Sequence, residues 1–324
     1  MVKAGLGRAI KVLMVLVTVI VINFALVRFA PGDPVSVIAG EAGASDAAFI
    51  ADLREEFQLD KPIPVQLAAY LASVASGDLG YSYRQRRPVT DLIWERMPAT
   101  LLLTGSAFVL SLVVGTALGT FAGLNRGGWG DKALLVICLL GYALPAFWLG
   151  LVLVLAFSVW LQWLPAFGMQ TLGFAGGWWA QFRDVLSHLV LPCITLSAYY
   201  IALYTRVMRS SMADVQTSDF IKTAYVKGLS RRRIVGVHML RNAALPVVTL
   251  AGVQAGQLIG GSIVVETVFA WPGIGRLALD ALLQREYMVL MGVFVVTSIM
   301  VIALNIISDI ILAIVDPRIK RSAA

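Results

Sequence analysis

The sequence predicts an all-α protein that crosses a membrane several times. Of its 324 residues, 59% are hydrophobic and 14% are charged, and the mean hydropathy is +0.82. A soluble domain is roughly half apolar and about a quarter charged, so lipid is the expected solvent for the surplus apolar surface. Apolar runs of about 20 residues, long enough to cross the hydrocarbon core as a helix, recur along the chain.

Six apolar runs are predicted to be transmembrane helices. The first follows Lys3 and Arg8. It is longer than the apolar core of a signal peptide and no small-residue cleavage site follows it, so we expect it to be retained. Gly and Pro within the runs are compatible with membrane helices, because neighbouring helices satisfy the backbone groups that Pro leaves free. The predicted spans are residues 9–29, 99–124, 133–161, 189–207, 245–269 and 288–315.

The distribution of cations predicts the orientation. Residues 206–241 hold eight Lys or Arg and two Asp, a balance of +6, whereas residues 28–96 hold seven basic and ten acidic residues, a balance of −3. With six spans, the basic stretch, the short loop with Arg126 and Lys132 and both termini fall on one side. We therefore expect these regions in the cytoplasm and residues 28–96 outside.

The outer segment is too long for a plain connection and is expected to form a small helical cap. Residues 49–60 and 64–78 both have apolar spacings typical of helices, and the second helix is expected to end at Gly77. Residues 77–89 are rich in turn-forming residues. Residues 89–98 then lead into the second span.

The basic segment, residues 219–246, is the most informative part of the sequence. A short helix is expected to end at Gly228, because glycine adopts positive φ at little cost. A second helix is predicted to begin with Ser230 as its N-cap, and Pro246 is expected in the first turn of the fifth span. Such a pair of helices can enter a cleft in a partner and transmit a rigid-body motion. Alternatively, residues 231–233 only set the topology and touch anionic lipid.

Polar side chains in the fifth span are candidates for a transport path. Gln254 and Gln257 share a helix face, and Ser262 follows them on the same helix. An amide in lipid is costly unless it is paired or lines a wet cavity, so we expect this face to line a pathway or to contact a partner subunit. Three tyrosines of the fourth span are second candidates, for which packing is an equally good explanation: Tyr199, Tyr200 and Tyr204.

Other kinds of chemistry find little support in the sequence. Cys138 and Cys193 lie in apolar runs without a CxxC pattern and are expected to be packing residues, and two histidines are too few for a metal site. A P-loop, an HExxH motif and a nucleophile–base arrangement are missing from the sequence, so we expect no enzyme activity. The cations are confined to loops without an aromatic-interleaved groove motif, which argues against a nucleic-acid partner.

Taken together, the motifs of the chain resemble the inner-membrane permease subunits of ABC importers, in the dipeptide, oligopeptide and nickel branch. The resemblance covers nearly the whole chain. Each motif is weak alone, and their order makes the resemblance specific. The motifs are RFAPGDP at 28–34, LDKPIPVQ at 59–66, GDLGYSYRQRRPV at 77–89, ERMPATLLL at 95–103, TAYVKGLS at 223–230 with LRNAALPV at 240–247, VETVFAWPGIGRL at 265–277 and DPRIK at 316–320.

The resemblance implies that the basic segment contacts an ATPase subunit. The general signature of such loops begins Glu-Ala-Ala, continues with a Gly and ends Leu-Pro. This chain lacks the glutamate, because Lys222 stands at that position. The residues expected to couple the chain to the ATPase are Lys222, Thr223, Ala224, Gly228, Leu245 and Pro246.

The resemblance also implies the type I ABC importer permease fold, in which each permease forms half of a channel. The expected partners are a second homologous permease, two cytoplasmic ATPase subunits and an extracytoplasmic solute-binding protein. ATP is used by the ATPase subunits, and this chain is expected to need no cofactor. Glu266, Pro272 and Gly273 would form an outer gate, for which a plain turn is the alternative. An ion-coupled secondary transporter is the second hypothesis, weakened by the lack of a convincing internal repeat.

The expected location is the bacterial inner membrane, with the solute left open among dipeptides, oligopeptides, nickel complexes and glutathione. The expected domain organisation has four parts. These are an N-terminal transmembrane helix at 1–30, an extracytoplasmic helical segment at 31–94, a five-helix transmembrane domain at 95–315 with its coupling loop at 210–243, and a cytoplasmic tail at 316–324.

Overall fold

A computed structural model describes residues 2–28, 61–174 and 176–315 of the protein. The helix expected at residues 49–60, most of the RFAPGDP motif and the DPRIK motif of the tail lie outside the described residues. The helix expected within residues 64–78 is confirmed, because a helix covers Ile63–Ala75.

The described chain is almost entirely helical, which confirms the all-α prediction. A small antiparallel hairpin pairs β1 (Tyr81–Ser82) with β2 (Arg87–Pro88) within the stretch predicted to be rich in turns. The helices, in chain order, are α1 (Val2–Arg28), α2 (Ile63–Ala75), α3 (Val89–Leu124), α4 (Trp129–Ala143), α5 (Ala146–Trp160), α6 (Trp178–Gln216), α7 (Asp219–Val226), α8 (Arg231–Val268), α9 (Ile274–Leu283) and α10 (Tyr287–Val315).

Four helices of the described residues, α3, α6, α8 and α10, are long and apolar enough to cross a membrane. Helices α4 and α5 pass the same test as a pair bent by 110°, which gives up to five spans. The prediction of one continuous third span is therefore wrong at its centre. Pro145 has no N–H and disfavours helical geometry in the residue before it, and Leu144 accordingly adopts the extended values of φ −77° and ψ 132°.

The second and fourth spans are longer than predicted. Helix α3 begins at Val89, so residues 89–98 are its first turns and not a separate lead-in. Val89 and Ile93 are buried in a core with residues of α9 and α10, and this packing favours an early helix start. Helix α6 extends beyond the predicted 189–207 at both ends.

Pro246 lies inside α8 and not in the first turn of the fifth span, which corrects the prediction. The helix begins at Arg231 and passes through Ile234–Met239 with π-helical hydrogen bonding. Ile234, Met239 and Val247 are all buried, so one side of the segment packs without interruption and favours a single helix. The proline removes one backbone hydrogen bond, the one that would reach the carbonyl of Asn242.

The chain divides into two compact units. The first consists of Met1–Ala99 with Pro272–Ile302, and the second of Thr100–Trp271 with Ala303–Ala324. In the first unit, the Ser82 hydroxyl of the hairpin donates a 2.6 Å hydrogen bond to the carboxylate of Glu286 in a buried position. This bond connects the hairpin to the turn between α9 and α10.

In the second unit, α3 and α6 approach so closely that only glycine fits between them. Gly115, Gly119 and Gly123 lie one turn apart on α3, and a Cβ atom at each would lie 2.5–2.7 Å from a Cβ atom of α6. Small residues permit this kind of backbone contact between membrane helices. We call these three residues the glycine seam. The residues of α6 opposite them are, in the same order, Tyr204, Met208 and Met212.

We expect Gly119→Ala to destabilise the protein by about 1–3 kcal/mol, the usual cost of overpacking. The added methyl would lie 2.6 Å from the carbonyl oxygen of Thr205 as well as against Met208, so the helices must separate. The measurement is the thermal unfolding midpoint of the purified protein in detergent.

The matched control is Gly105→Ala on the same helix, where a Cβ meets no atom of the described residues within 4 Å. This control should leave the midpoint unchanged or raise it slightly, because alanine favours the helix. Equal midpoints for the two variants would contradict the close approach of α3 and α6.

Candidate functional site

The basic segment folds as two helices joined by a tight turn, as the sequence predicts. Helix α7 ends in a Schellman motif, in which the Gly228 N–H donates to the carbonyl of Tyr225 (2.9 Å) and the Leu229 N–H to that of Ala224 (3.3 Å). Gly228 has φ +72°, a value that favours glycine. Ser230 takes the N-cap position of α8 with extended backbone angles, although its hydroxyl makes no capping hydrogen bond.

One side of α7 is held by the chain itself. Ile221 and Ala224 are buried, and α7 packs against the π-helical residues Ile234–Met239 at the start of α8. The Lys222 ammonium donates to the Asp219 carboxylate at 2.9 Å across one turn, in an exposed ion pair. One side of α7 is therefore held in place by packing against the chain, and its other sides form a defined outer surface.

That outer surface carries large apolar side chains. Phe220 is 47% exposed, Tyr225 is 50% exposed and Val226 is 89% exposed. Because a helix turns about 100° per residue, these three side chains are distributed around the helix and do not form a single stripe. Exposed cations flank them on both sides of the turn, at Lys222, Lys227, Arg231, Arg232 and Arg233.

The residues predicted to couple the chain to a partner do not share one surface. Lys222 and Thr223 are exposed on α7, and Gly228 forms the turn. Ala224 faces the chain itself, and Leu245 and Pro246 lie well inside α8. Sequence analysis missed Phe220, Tyr225 and Val226, although apolar residues beside lysines in a loop are a usable signal.

The polar residues predicted in the fifth span occupy different environments along α8. Gln257 is exposed on a face that also presents Val253, Gly260 and Val264. Gln254 is half-buried, and its side-chain oxygen is buried without a hydrogen-bond partner among the described residues. Ser262 is buried and donates to the carbonyl of Ile259 (2.8 Å), so it packs inside the fold.

Glu266, predicted at an outer gate, is fully buried. Its carboxylate accepts hydrogen bonds from the hydroxyls of Ser262 (3.0 Å) and Thr100 (2.8 Å). The structure thus brings together Ser262 and Glu266, which the sequence assigned to different sites. Gly273 is the N-cap residue of α9, directly after Pro272.

The tyrosines of the fourth span and the cysteines lie mostly in packed positions. Tyr200 and Tyr204 are buried, and Tyr199 stacks on Tyr142 with ring centroids 5.0 Å apart. Cys138 and Cys193 are both buried and free. The cysteines therefore behave as the packing residues that the sequence predicts.

Sequence analysis also missed a buried ion pair near the basic segment. Asp131, at the start of α4, is 1% exposed and accepts two hydrogen bonds from the guanidinium of Arg209 on α6, at 2.5 and 2.7 Å. The sequence signal was a single acid in a loop that otherwise carries the cations Arg126 and Lys132.

Comparison with protein families now identifies the kind of protein. Residues 115–321 match the family described as "Binding-protein-dependent transport system inner membrane component", and residues 1–104 match the N-terminal region of such components. The chain belongs to this family. It is a multi-pass inner-membrane permease component of an ABC importer, and not the ion-coupled transporter kept as the second hypothesis.

Curated relatives match along almost the entire chain. The dipeptide transport system permease protein DppB of Escherichia coli is 39% identical, over 92% of this chain and 93% of the relative. A probable peptide ABC transporter permease of Sinorhizobium fredii is 36% identical, over 97% and 98% of the two chains. The glutathione transport system permease protein GsiC of Salmonella choleraesuis is 38% identical, over 97% and 98%.

A solved structure supports the fold. An inward-facing structure of the MetNI methionine ABC transporter matches with a TM-score of 0.55 and 18% identity, over 69% of this chain and 96% of the matched chain. At this identity the match establishes the permease fold alone.

The packing of α7 against the start of α8 leads to a labelling prediction. We expect a cysteine in Val226→Cys to react with a polar maleimide about tenfold faster or more than one in Ile221→Cys, because thiol reactivity requires exposure. Val226 is 89% exposed and Ile221 is 1% exposed. The measurement is the rate of label incorporation into the purified protein in detergent.

Buried Cys138 and Cys193 keep the background low, and the unsubstituted protein measures it. Similar rates for the two variants would mean that α7 does not pack on α8 as described.

Proposed function

We propose that this chain forms half of the translocation pathway for small peptides across the inner membrane. We further propose that it receives the ATP-driven motion of an ATPase subunit through α7 and the Gly228 turn. The observation that carries the proposal is the distribution of exposed apolar side chains around α7.

A short helix with apolar side chains on several sides suits a cleft better than a flat surface. A helix that lies on a membrane places its apolar residues on one face, whereas Phe220, Tyr225 and Val226 point in three directions around α7. The buried residues Ile221 and Ala224 between Phe220 and Tyr225 support the helix from behind. A cleft on a cytoplasmic ATPase subunit would cover the remaining sides.

The cations around α7 argue against its insertion into lipid. Charged side chains are costly in the hydrocarbon region, and five exposed cations surround the helix and its turn. An acidic rim around the cleft of the ATPase subunit would complement them and increase the rate of docking. Lys222 takes the place of the usual family glutamate and would contribute to this complementarity.

The proposed solute is a small peptide. The relatives described above are named for dipeptides, for peptides and for glutathione, which is itself a tripeptide. The exposed face of α8 with Gln257, together with Gln254, would line the path, because an amide side chain both donates and accepts hydrogen bonds, as a peptide backbone does. Glu266, Pro272 and Gly273 are the residues proposed for an outer gate, as the resemblance implies.

The complete importer would contain a second homologous permease, two ATPase subunits and an extracytoplasmic binding protein. Both termini and the basic segment would lie in the cytoplasm, as the positive charges favour. ATP hydrolysis would occur only in the ATPase subunits, and nucleic acid would not be a partner. We also propose that the chain has the four-part domain organisation that the sequence predicts.

The test is reconstitution of the purified complex into liposomes with the partner subunits. Uptake of a labelled dipeptide should require ATP and the binding protein and should persist when an ionophore collapses the ion gradients. Uptake that stops with the ionophore, or that proceeds without ATP, would overturn the proposal.

We expect Gly228→Val to abolish co-purification of the ATPase subunits while the permease remains in the membrane. A β-branched residue is strained at φ +72°, so the turn would change direction and α7 would no longer fit its cleft. The measurement is ATPase activity in the affinity-purified permease.

Gly173→Val is the matched control, because Gly173 has φ +73° and no atom of the described part of the chain within 4 Å of an added Cβ, but lies in a different loop. It should retain the ATPase subunits. If Gly228→Val retained them equally well, α7 would not be the docking element.

We expect Gln254→Leu to reduce peptide uptake several-fold without lowering thermal stability. Leucine removes a buried oxygen that has no hydrogen-bond partner among the described residues, and such an oxygen costs about 1–3 kcal/mol. The measurements are uptake in liposomes and the unfolding midpoint. Cys138→Ser, at a buried packing position, serves as the control and should retain uptake. Full uptake by the Gln254→Leu variant would assign Gln254 to packing.

A further inference from the structure

Three elements of the second unit meet at the carboxylate of Asp131. The Arg209 side chain on α6 donates to both of its oxygens, from Nε at 2.5 Å and from Nη2 at 2.7 Å. The backbone N–H of Gly127, in the turn between α3 and α4, donates to the same carboxylate at 2.8 Å. A paired, charge-assisted contact of this type fixes the relative orientation of its partners as well as their distance.

The backbone at Arg209 is also held from the other side. At the last position of the glycine seam, a Cβ on Gly123 would lie 3.2 Å from the Arg209 carbonyl oxygen and 2.6 Å from the Cβ of Met212. Helix α3 therefore contacts α6 at the same level at which Asp131 of α4 binds the Arg209 side chain. One turn of α6 is therefore in contact with both α3 and α4.

The turn of α6 that contacts α3 and α4 lies close to the proposed docking helix, α7. Helix α6 continues from Arg209 to Gln216, which is about 10 Å at 1.5 Å per residue, and α7 begins three residues later at Asp219. Only Thr217 and Ser218 separate the two helices. Any displacement of α7 therefore reaches the turn of α6 that contacts α3 and α4 over a short and mostly helical path.

We infer that Asp131 and Arg209 form a positioning pair that transmits the motion of α7 to α3 and α4 as one rigid block. This inference rests on the proposed function of α7. With the pair intact, the end of α6 cannot bend independently of α3 and α4, so a push on α7 moves all three helices. With the pair broken, the last turns of α6 bend and the motion is lost within them.

Burial makes the pair sensitive to small changes. Asp131 is 1% exposed, whereas the Arg209 side chain is 21% exposed. Replacing one partner leaves the other charge unpaired in a buried position, which lowers the stability of the fold around it. Lysine cannot replace arginine here without loss, because an ammonium group does not make the planar two-point contact.

The test is the number of dipeptide molecules transported per ATP hydrolysed by the full complex in liposomes. We expect Asp131→Asn to keep ATP hydrolysis within about twofold of the original and to lower this ratio about tenfold, within the usual range of coupling effects. Arg209→Lys should give an intermediate ratio. The charge exchange Asp131→Arg with Arg209→Asp should recover part of the ratio.

The matched control is Glu95→Gln, which breaks the exposed ion pair with Arg87 (2.8 Å) in the other unit and should leave the ratio unchanged. An Asp131→Asn complex with the original ratio overturns the inference. So does a result in which Asp131→Asn and Arg209→Lys both lose transport and ATP hydrolysis in step with the amount of folded complex, because that result indicates a purely structural pair. If Asp131→Asn does not fold, Arg209→Lys, which keeps the charge, decides by the same ratio.

The failure of this inference differs from the failure of the proposed function. If the original complex retains no ATPase subunits, the proposed function of α7 is wrong and the positioning pair falls with it. If the original complex is coupled and the pair variants are coupled equally well, only the positioning pair is wrong.

Discussion

The close approach of α3 and α6 is the contact on which the second unit depends. Three glycines in consecutive turns of α3 let its backbone lie against the side chains of α6, and any larger residue would push the helices apart. The same contact places the turn after α3 and the start of α4 beside Arg209. Because α6 leads directly into α7, the seam also determines where the candidate docking helix begins.

Buried charges occur at the ends of helices and are satisfied in different ways. The charge of Asp131 is balanced by the guanidinium of Arg209, and a backbone N–H donates a further hydrogen bond to its carboxylate, which suits a place where orientation matters. Glu266 is surrounded by hydroxyl donors from α3 and α8. In the first unit, Glu286 accepts a hydrogen bond from the hairpin hydroxyl of Ser82. In each case the carboxylate joins elements that are distant in sequence, so these acids organise connections between helices.

The proposed docking helix, α7, combines features that a membrane protein seldom exposes together. It is short, it is held by buried Ile221 and Ala224, and it ends in a hydrogen-bonded turn at Gly228. Its remaining sides present apolar groups among cations. A short helix that is held by packing on one side and exposes apolar and cationic side chains on the others suits the contact between a membrane domain and a water-soluble ATPase subunit. Such a helix can transmit a displacement without unfolding. The family to which the chain belongs makes use of such partners.

The sequence by itself determined the membrane class, the presence of the long apolar helices, the Gly228 turn and the family, because apolar length and the conformational preference of glycine are local signals. It did not decide between a straight and a bent helix at Pro145, although the bend there is a local effect of the proline on Leu144. It could not place Pro246 inside α8 or predict the burial of Ala224 and Ser262, because these depend on which side of a helix faces a neighbour. The sequence also could not predict the pairing of Asp131 with Arg209, which are 78 residues apart. Only tertiary packing brings such residues together, since local propensity carries no information about contacts between distant helices.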